Sequence, residues 1–231
     1  MRVTVSHALG GYAAVMTLAA AWLGLTAMAS PAPAGTFTTI DVQRINVREP
    51  DGTLRMTISN HAQVPGIVYE KKEYPHPNRP EAGMIFYNDE GIENGGLVFN
   101  GGMKDGKRTN GGQLSFDRYM QDQTLQLVSE ENGTERRVGI AITDRPEETM
   151  DIPAILRLRD MKPGPDVDAA AKKAGIGRAQ RAWLGRATDG SVALILGDPQ
   201  GRPRMKLGVA DDGTPSIDLL DASGKVTKSV R

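Results

Sequence analysis

Cysteine is absent from this 231-residue chain, and the absence excludes several kinds of site at once. Without a thiol there is no disulfide, no thiolate zinc site, no cysteine nucleophile and no lipid-modified cysteine. Aromatic residues are scarce, at 5%, so there is little surface on which sugars or bases could stack. The 28 basic and 28 acidic residues balance, whereas nucleic-acid binding requires a basic excess. We therefore predict no cofactor and no nucleic-acid partner.

Recognisable catalytic and metal-binding motifs are also missing. The sequence has no Gly-x-Ser-x-Gly, no closely spaced histidine pair, no EF-hand loop, and no Gly-Lys-Ser/Thr after its glycine pairs. Only two histidines, His61 and His76, follow the N-terminal segment. These absences predict no metal site and no catalytic residue of a familiar type.

The N-terminal 29 residues have the layout of a signal peptide. Arg2 is the one strongly basic residue at the start, residues 12–29 carry no charge, and Ala27-Met28-Ala29 is a small-x-small cleavage pattern. The same stretch is just long enough to remain uncleaved as a membrane anchor. We predict an exported protein, either periplasmic or secreted after cleavage near Ala29. The alternative is a single-pass anchor that holds the domain outside the cytoplasm and makes the only membrane contact.

Short β-type runs separated by Asp/Gly turns dominate the rest of the chain. Glu49-Pro50-Asp51-Gly52 is one such turn, because proline suits its second position and glycine a left-handed conformation. After it, Leu54, Met56 and Ile58 alternate with polar residues, so we expect these three to form the buried side of a strand. Towards the C-terminus the turn glycines recur every 11 or 12 residues, which predicts an antiparallel meander, at Gly190, Gly201, Gly213 and Gly224.

Residues 147–176 interrupt this β pattern. Pro153 suits a first helical turn, Asp166 is a suitable cap for a second helix, and Gly175 and Gly177 would end it. The predicted fold class is therefore mainly β, with antiparallel sheets or a meander, tight Asp/Gly hairpin turns and a short helical insertion. The predicted regions are a signal peptide or anchor at 1–29, a linker at 30–36, an N-terminal β region at 37–146, the helical insertion at 147–176 and a C-terminal β meander at 177–231.

Two stretches are candidates for binding. The segment from Tyr74 to Pro80 has three prolines in seven residues, so Tyr74, His76 and Arg79 would lie on a stiff, preformed loop. A rigid structural crossover accounts for the same prolines. The glycine pairs that follow, accompanied by Asn94 and Asn100, would let the backbone approach a ligand closely. Bulges and turns of a curved sheet are the structural alternative.

Most of the chain after the N-terminal segment resembles a family of uncharacterised bacterial exported or membrane-anchored proteins. The similar segments are 40–55, 58–60, 72–77, 86–91, 95–99, 114–117 and 201–204. The resemblance implies an exported β-rich domain. It implies no activity and no site residue.

These features favour a non-enzymatic exported module with a binding or structural role in the cell envelope or outside the cell. Its partner would be a protein or another envelope component, contacted through the Tyr74–Arg79 loop and the Gly/Asn-rich stretch. Exposed strand edges would also allow homo-oligomers by edge pairing. The alternative is a hydrolase that cleaves carbohydrate or envelope polymer with the acid pair Asp89 and Glu93.

Overall fold

A computed structural model describes residues 12, 14–20, 22, 35–76, 79, 81–158 and 161–231. The chain divides into two units, Met1–Asp41 and Val42–Arg231. In the first unit, residues 12, 14–20 and 22 are helical, while the predicted cleavage site at Ala29 lies outside the described residues. None of the helices formed by described residues combines the length and apolar character needed to cross a membrane.

The second unit is built on one antiparallel sheet of twelve strands, in the order β1-β2-β5-β6-β7-β8-β9-β10-β11-β12-β13-β14, with a separate β3–β4 hairpin. The first nine strands are β1 (Arg44–Arg48), β2 (Leu54–Ser59), β3 (Ile67–Tyr69), β4 (Lys72–Tyr74), β5 (Ala82–Tyr87), β6 (Glu93–Lys104), β7 (Lys107–Asp117), β8 (Gln123–Asn132) and β9 (Glu135–Asp144). The remaining strands are β10 (Ala179–Arg186), β11 (Val192–Gly197), β12 (Pro203–Val209), β13 (Pro215–Leu220) and β14 (Val226–Val230).

Two insertions interrupt this meander. The first joins β2 to β5 and contains a 3₁₀ turn at His61–Gln63 and the β3–β4 hairpin. The second joins β9 to β10 and contains helices α1 (Ile152–Leu158) and α2 (Pro165–Lys173). The cap of α2 is Gly164, so Asp166 lies in the first helical turn, where its charge suits the positive end of the helix, and does not cap it. The predicted fold class, mainly β with Asp/Gly turns and a short helical insertion, is confirmed.

Most hairpin turns share one hydrogen-bond scheme. In the first, Gly52 N donates to Glu49 O at 2.9 Å and Glu49 N donates to Thr53 O at 2.9 Å. Gly52 has φ +86°, a left-handed conformation that glycine adopts without strain. The same pair of bonds recurs at the turns that begin at residues 88, 118, 187, 198, 210 and 221. This repeated turn is the local reason that the chain forms a meander.

One face of the sheet, which we call the Trp183 face, holds the two buried clusters. Leu54, Ile85 and Tyr87 pack with Val68 of the β3–β4 hairpin. Farther along the sheet, Val128, Ala141 and Trp183 form the second cluster, with Ile195 packed against it. The first insertion and the indole ring therefore cover two parts of this face.

The opposite face, which we call the apolar face, carries one apolar side chain from every strand at the same level of the sheet. This central row follows from the strand registers and consists of Ile45, Ile58, Met84, Leu97, Leu114, Leu127, Ile140, Leu184, Leu194, Leu207, Ile217 and Val230. A second row beside it includes Phe86, Phe116, Ile142, Leu196 and Met205.

The prediction that Leu54, Met56 and Ile58 form the buried side of β2 is wrong in part. Leu54 is buried, but Thr57 is completely buried and Ile58 is 38% exposed. A bulge inserts Arg55 between the pairs Val47–Met56 and Arg48–Leu54, so Leu54 and Ile58 lie on opposite faces. The insertion covers the face that carries Thr57, and this tertiary contact overrides the local pattern of the strand.

Candidate functional site

A polar groove runs across strands β5 to β9 on the Trp183 face. It encloses about 710 Å³, and we call it the glycine groove after the small residues along it. Its lining includes His76, Arg79, Asn100, Gly111 and Gln113. Side-chain amides, glycines and charged groups share this surface, so it offers hydrogen-bond donors and acceptors along its length.

Glycine and asparagine face each other between β6 and β7 for a steric reason. Asn100 pairs with Gly111 on the groove side of the sheet, and Gly101 pairs with Asn110 on the opposite side. A Cβ atom on Gly111 would lie 2.6 Å from Oδ1 of Asn100, and one on Gly101 would lie 2.8 Å from Oδ1 of Asn110. Each asparagine side chain therefore occupies the space that the opposite glycine leaves open.

Two ion pairs between charged side chains lie in the groove. Arg79 contacts Glu93 at 2.8 Å, and Arg137 contacts Glu130 at 3.4 Å. The Arg137 guanidinium also lies 4.1 Å from the centroid of the Trp183 ring. The whole lining holds six carboxylates against two arginines, so the groove favours a neutral polar ligand over an anion.

A second cavity, the Asp117 cavity, adjoins the groove and shares His76, Arg79 and Glu93 with it. It encloses about 280 Å³. Both insertions contribute to its wall, the first through Ile67 and Tyr69 and the second through Ile152, Ile155 and Ile176. The two interruptions of the meander thus converge on one site.

Asp117 is the most perturbed acid in this cavity. Burial, together with the nearby carboxylates of Glu93 and Asp122, raises the pKa of Asp117 to about 7 against the opposing charges of Arg145 and Arg79. Its Oδ1 atom is buried and has no hydrogen-bond partner within the described part of the chain. Such an acid retains its proton near neutral pH and can donate it.

The neighbours of Asp117 are fixed by ion pairs and backbone contacts. Arg145, whose side chain is 7% exposed, lies 3.4 Å from Asp122 and donates from Nε to the carbonyl of Gln123 at 2.8 Å. Gln121 donates to the carbonyls of Glu148 and Gly175, at 2.6 Å and 3.1 Å. These bonds join the β7–β8 turn to the helical insertion and hold the acid side of the cavity in place.

The structure brings together three of the five residues predicted to bind. His76, Arg79 and Asn100 line the glycine groove. Tyr74 lies in the β3–β4 hairpin, where Lys72 Nζ is 5.0 Å from its ring centroid, and Asn94 is exposed at a bulge of β6. Neither Tyr74 nor Asn94 is among the residues that line the groove. Residues 77, 78 and 80 of the predicted loop lie outside the described residues.

The predicted acid pair is divided. The Asp89 side chain is 95% exposed and forms an ion pair with Arg55, whereas Glu93 lines both cavities. Sequence reasoning did not identify Asp117, Asp122 or Arg145. The available signal was weak: Asp117 and Asp122 flank a turn without glycine, in which Met120 has φ +51°.

Replacing Arg79 by lysine is expected to lower the free energy of unfolding by about 1.5–3 kcal/mol. Arg79 donates to both carboxylate oxygens of Glu93, at 2.8 Å and 2.9 Å, and to the carbonyl of Pro65 at 3.0 Å. A single ammonium group cannot reproduce this planar arrangement. Urea unfolding followed by circular dichroism measures the loss.

Arg108→Lys is the matched control, because Arg108 is 66% exposed and lies 3.7 Å from Glu131. Its effect should remain within about 0.5 kcal/mol. Equal unfolding midpoints for the two variants would show that the Arg79–Glu93 pair does not stabilise the loop.

No family model matches the chain, and neither the curated proteins nor the solved structures contain a match. The family resemblance therefore remains a prediction from the sequence. Among the described residues, no group of three or more histidine and carboxylate side chains is arranged to hold a metal ion.

Proposed function

We propose that this chain is a non-enzymatic exported β-rich module that binds a neutral polar ligand in the glycine groove. The observation that carries the proposal is the groove itself, about 710 Å³ in volume and lined by amides, glycines, six carboxylates and two arginines. Function is commonly found on loops that a rigid scaffold positions, and the loop bearing His76 and Arg79 borders this groove.

The ligand class follows from the chemistry of the lining. Asn100 and Gln113 offer amide donors and acceptors, and the glycines of β6 and β7 allow a ligand to approach the backbone. A neutral oligosaccharide or an extended peptide has the complementary groups. A polyanion has no unpaired basic cluster to contact among the described residues of the groove.

A binding screen followed by a groove variant tests this proposal. The purified chain is titrated with panels of neutral oligosaccharides and uncharged peptides, and binders are identified by calorimetry. The double variant Asn100→Ala/Gln113→Ala should weaken binding of any groove ligand at least 10-fold, because two hydrogen-bonding side chains are removed.

Asn94→Ala is the control, since Asn94 is an exposed amide of the same strand that lies away from the groove lining. It should bind as the unmodified chain does. Equal affinities for the double variant and the unmodified chain would place the ligand elsewhere and reject the groove.

Export rests on the N-terminal sequence, from the charge at Arg2 to the small residues at Ala27 and Ala29. Fractionation of the native host with an intact-mass measurement tests it. A soluble species that starts near Ser30 supports release, and an uncut species in membranes supports an anchor. An uncut species in the cytoplasm contradicts both.

A second candidate function is supported by the Asp117 cavity. We propose as the alternative a hydrolase of carbohydrate or envelope polymer in which Asp117 donates a proton and Glu93 is the second carboxylate. The pKa of about 7 for Asp117 is the specific observation in its favour, because a general acid must be protonated near working pH. In this version Glu93 retains its predicted role and Asp117 replaces Asp89.

Hydrolysis of envelope glycans by the purified chain tests the alternative. Asp117→Asn and Glu93→Gln should each abolish the release of reducing ends, whereas Asp89→Asn should leave it unchanged. If the unmodified chain releases none, or if the Asp117 variant retains full activity, the hydrolase is excluded.

A further inference from the structure

The central row of the apolar face is exposed or half-buried in every strand of the sheet. In the central row, Leu184 is 51%, Leu207 is 50% and Leu127 is 41% exposed. In the second row, Ile142 is 49% and Phe116 is 46% exposed. Single exposed apolar residues are ordinary on protein surfaces, but a contiguous patch of this kind marks an interaction site.

The area of this face matches that of a stable protein interface. Strands lie about 4.8 Å apart, and residues on the same face of a strand lie about 6.8 Å apart. Two rows across twelve strands therefore cover about 800 Å², which equals the surface that each partner contributes to a standard interface. Phe99, Val138 and Val192 extend the apolar surface into a third row.

The described residues of Val42–Arg231 form no second layer on this side of the sheet. Sheets are stable in domains when a second element covers their apolar face. The β3–β4 hairpin packs on the Trp183 face through Val68 and Ile85, and the described residues of Val42–Arg231 leave the apolar face open. A partner that covers this face must present a broad, flat, apolar surface.

We propose that the apolar face binds the same face of a second copy of this chain, so that two sheets stack as a sandwich. A copy of the chain offers a surface of equal area and equal composition. The central row contains no charged residue, and Arg186 and Lys228 are the charged residues within the three rows. Two copies can therefore stack without burying a cluster of like charges. Stacked sheets of this kind lie about 10 Å apart, with interleaved aliphatic side chains.

Sedimentation velocity of the full chain over a wide concentration range tests the proposal. The unmodified chain should form dimers, and Leu184→Lys should weaken dimerisation at least 10-fold, because it places a charge in the centre of the interface. Leu207→Lys, on another strand, should act in the same direction. Circular dichroism should show both variants folded, since each side chain is half exposed in one copy.

Gln180→Lys provides the matched control. Gln180 lies on the same strand as Leu184, is exposed, and pairs with Thr143, which is buried on the opposite side of the sheet. This variant should dimerise as the unmodified chain does. The control separates the effect of the apolar face from the effect of an added charge.

Three outcomes overturn the proposal. The first is a chain that remains monomeric at every concentration tested. The second is a dimer that persists in both lysine variants, which would assign association to the strand edges. The third is a monomer that binds vesicles of phosphatidylcholine and phosphatidylglycerol and loses that binding in Leu184→Lys, which would assign the face to lipid.

A direct measurement locates the contact. Because the chain contains no cysteine, Ile140→Cys introduces a single thiol near the middle of the central row. A spin label there should report a short distance between copies, of about 10–20 Å, given the sheet spacing. A label pair too far apart to detect in a confirmed dimer would exclude face-to-face stacking.

Discussion

Replacing Trp183 by alanine is expected to lower the free energy of unfolding by about 3–5 kcal/mol, the range found for aromatic truncation in a core. Trp183 is 5% exposed and packs with Val128, Ala141 and Ile195. A Cβ atom on Gly139 would lie 2.6 Å from the indole Cζ2, so the ring lies directly over the strand backbone. Because residue 139 is glycine, it has no side chain that could fill the space left by replacing Trp183 with alanine.

Urea unfolding followed by far-UV circular dichroism, at one fixed protein concentration, measures this loss. Tyr119→Ala is the control, because Tyr119 is a 55% exposed aromatic residue on a turn. It should cost about 1 kcal/mol or less. Similar losses for the two variants would mean that the Trp183 cluster is not the core of this part of the sheet.

Replacing Asp117 by asparagine is expected to stabilise the protein at pH 8 and to have little effect near pH 4. The folded pKa of about 7 lies above the ordinary value of 3.8, because the carboxyl is buried and adjoins Glu93 and Asp122. Between these two values the unfolded chain has released a proton that the folded chain retains, so the stability contributed by Asp117 falls as pH rises. The stability lost through Asp117 is about 4 kcal/mol at most, and the loss is complete above pH 7.

The test compares the unfolding free energies of the unmodified chain and Asp117→Asn from pH 4 to pH 8. The difference between them isolates the effect of Asp117 from that of the other acids. Asp89→Asn is the control, because Asp89 is 95% exposed. The Asp117→Asn difference should change more over this range than the Asp89→Asn difference does. An Asp117→Asn difference that changes no more than that of the control would contradict the raised pKa.

The turns were the part of the fold that the sequence predicted best. Gly52, Gly190 and Gly224 adopt positive φ at the expected places, because glycine alone enters that region without strain. The turn from Arg118 to Gln121 was not predicted, since its positive φ falls on Met120. Asp117 and Asp122 flank that turn. The acid with the raised pKa, Asp117, was therefore missed together with the turn that positions it.

Which face of each strand would be covered depended on contacts distant in sequence. Thr57 is buried and Ile58 is exposed because the first insertion packs on the Thr57 side. Local alternation gives the period of a strand but not the side that another element covers. The Asp117 cavity is formed by residues from 67 to 177, and no short pattern contains that information.

Because the same turn is repeated, the number of hairpins sets the breadth of this sheet. From β6 to β13, every strand is hydrogen-bonded to the strands that precede and follow it in the chain. The sheet is therefore modular. A chain with one hairpin more or fewer at its C-terminal edge would keep the register of all the other strand pairs, and its breadth would change in steps of about 10 Å.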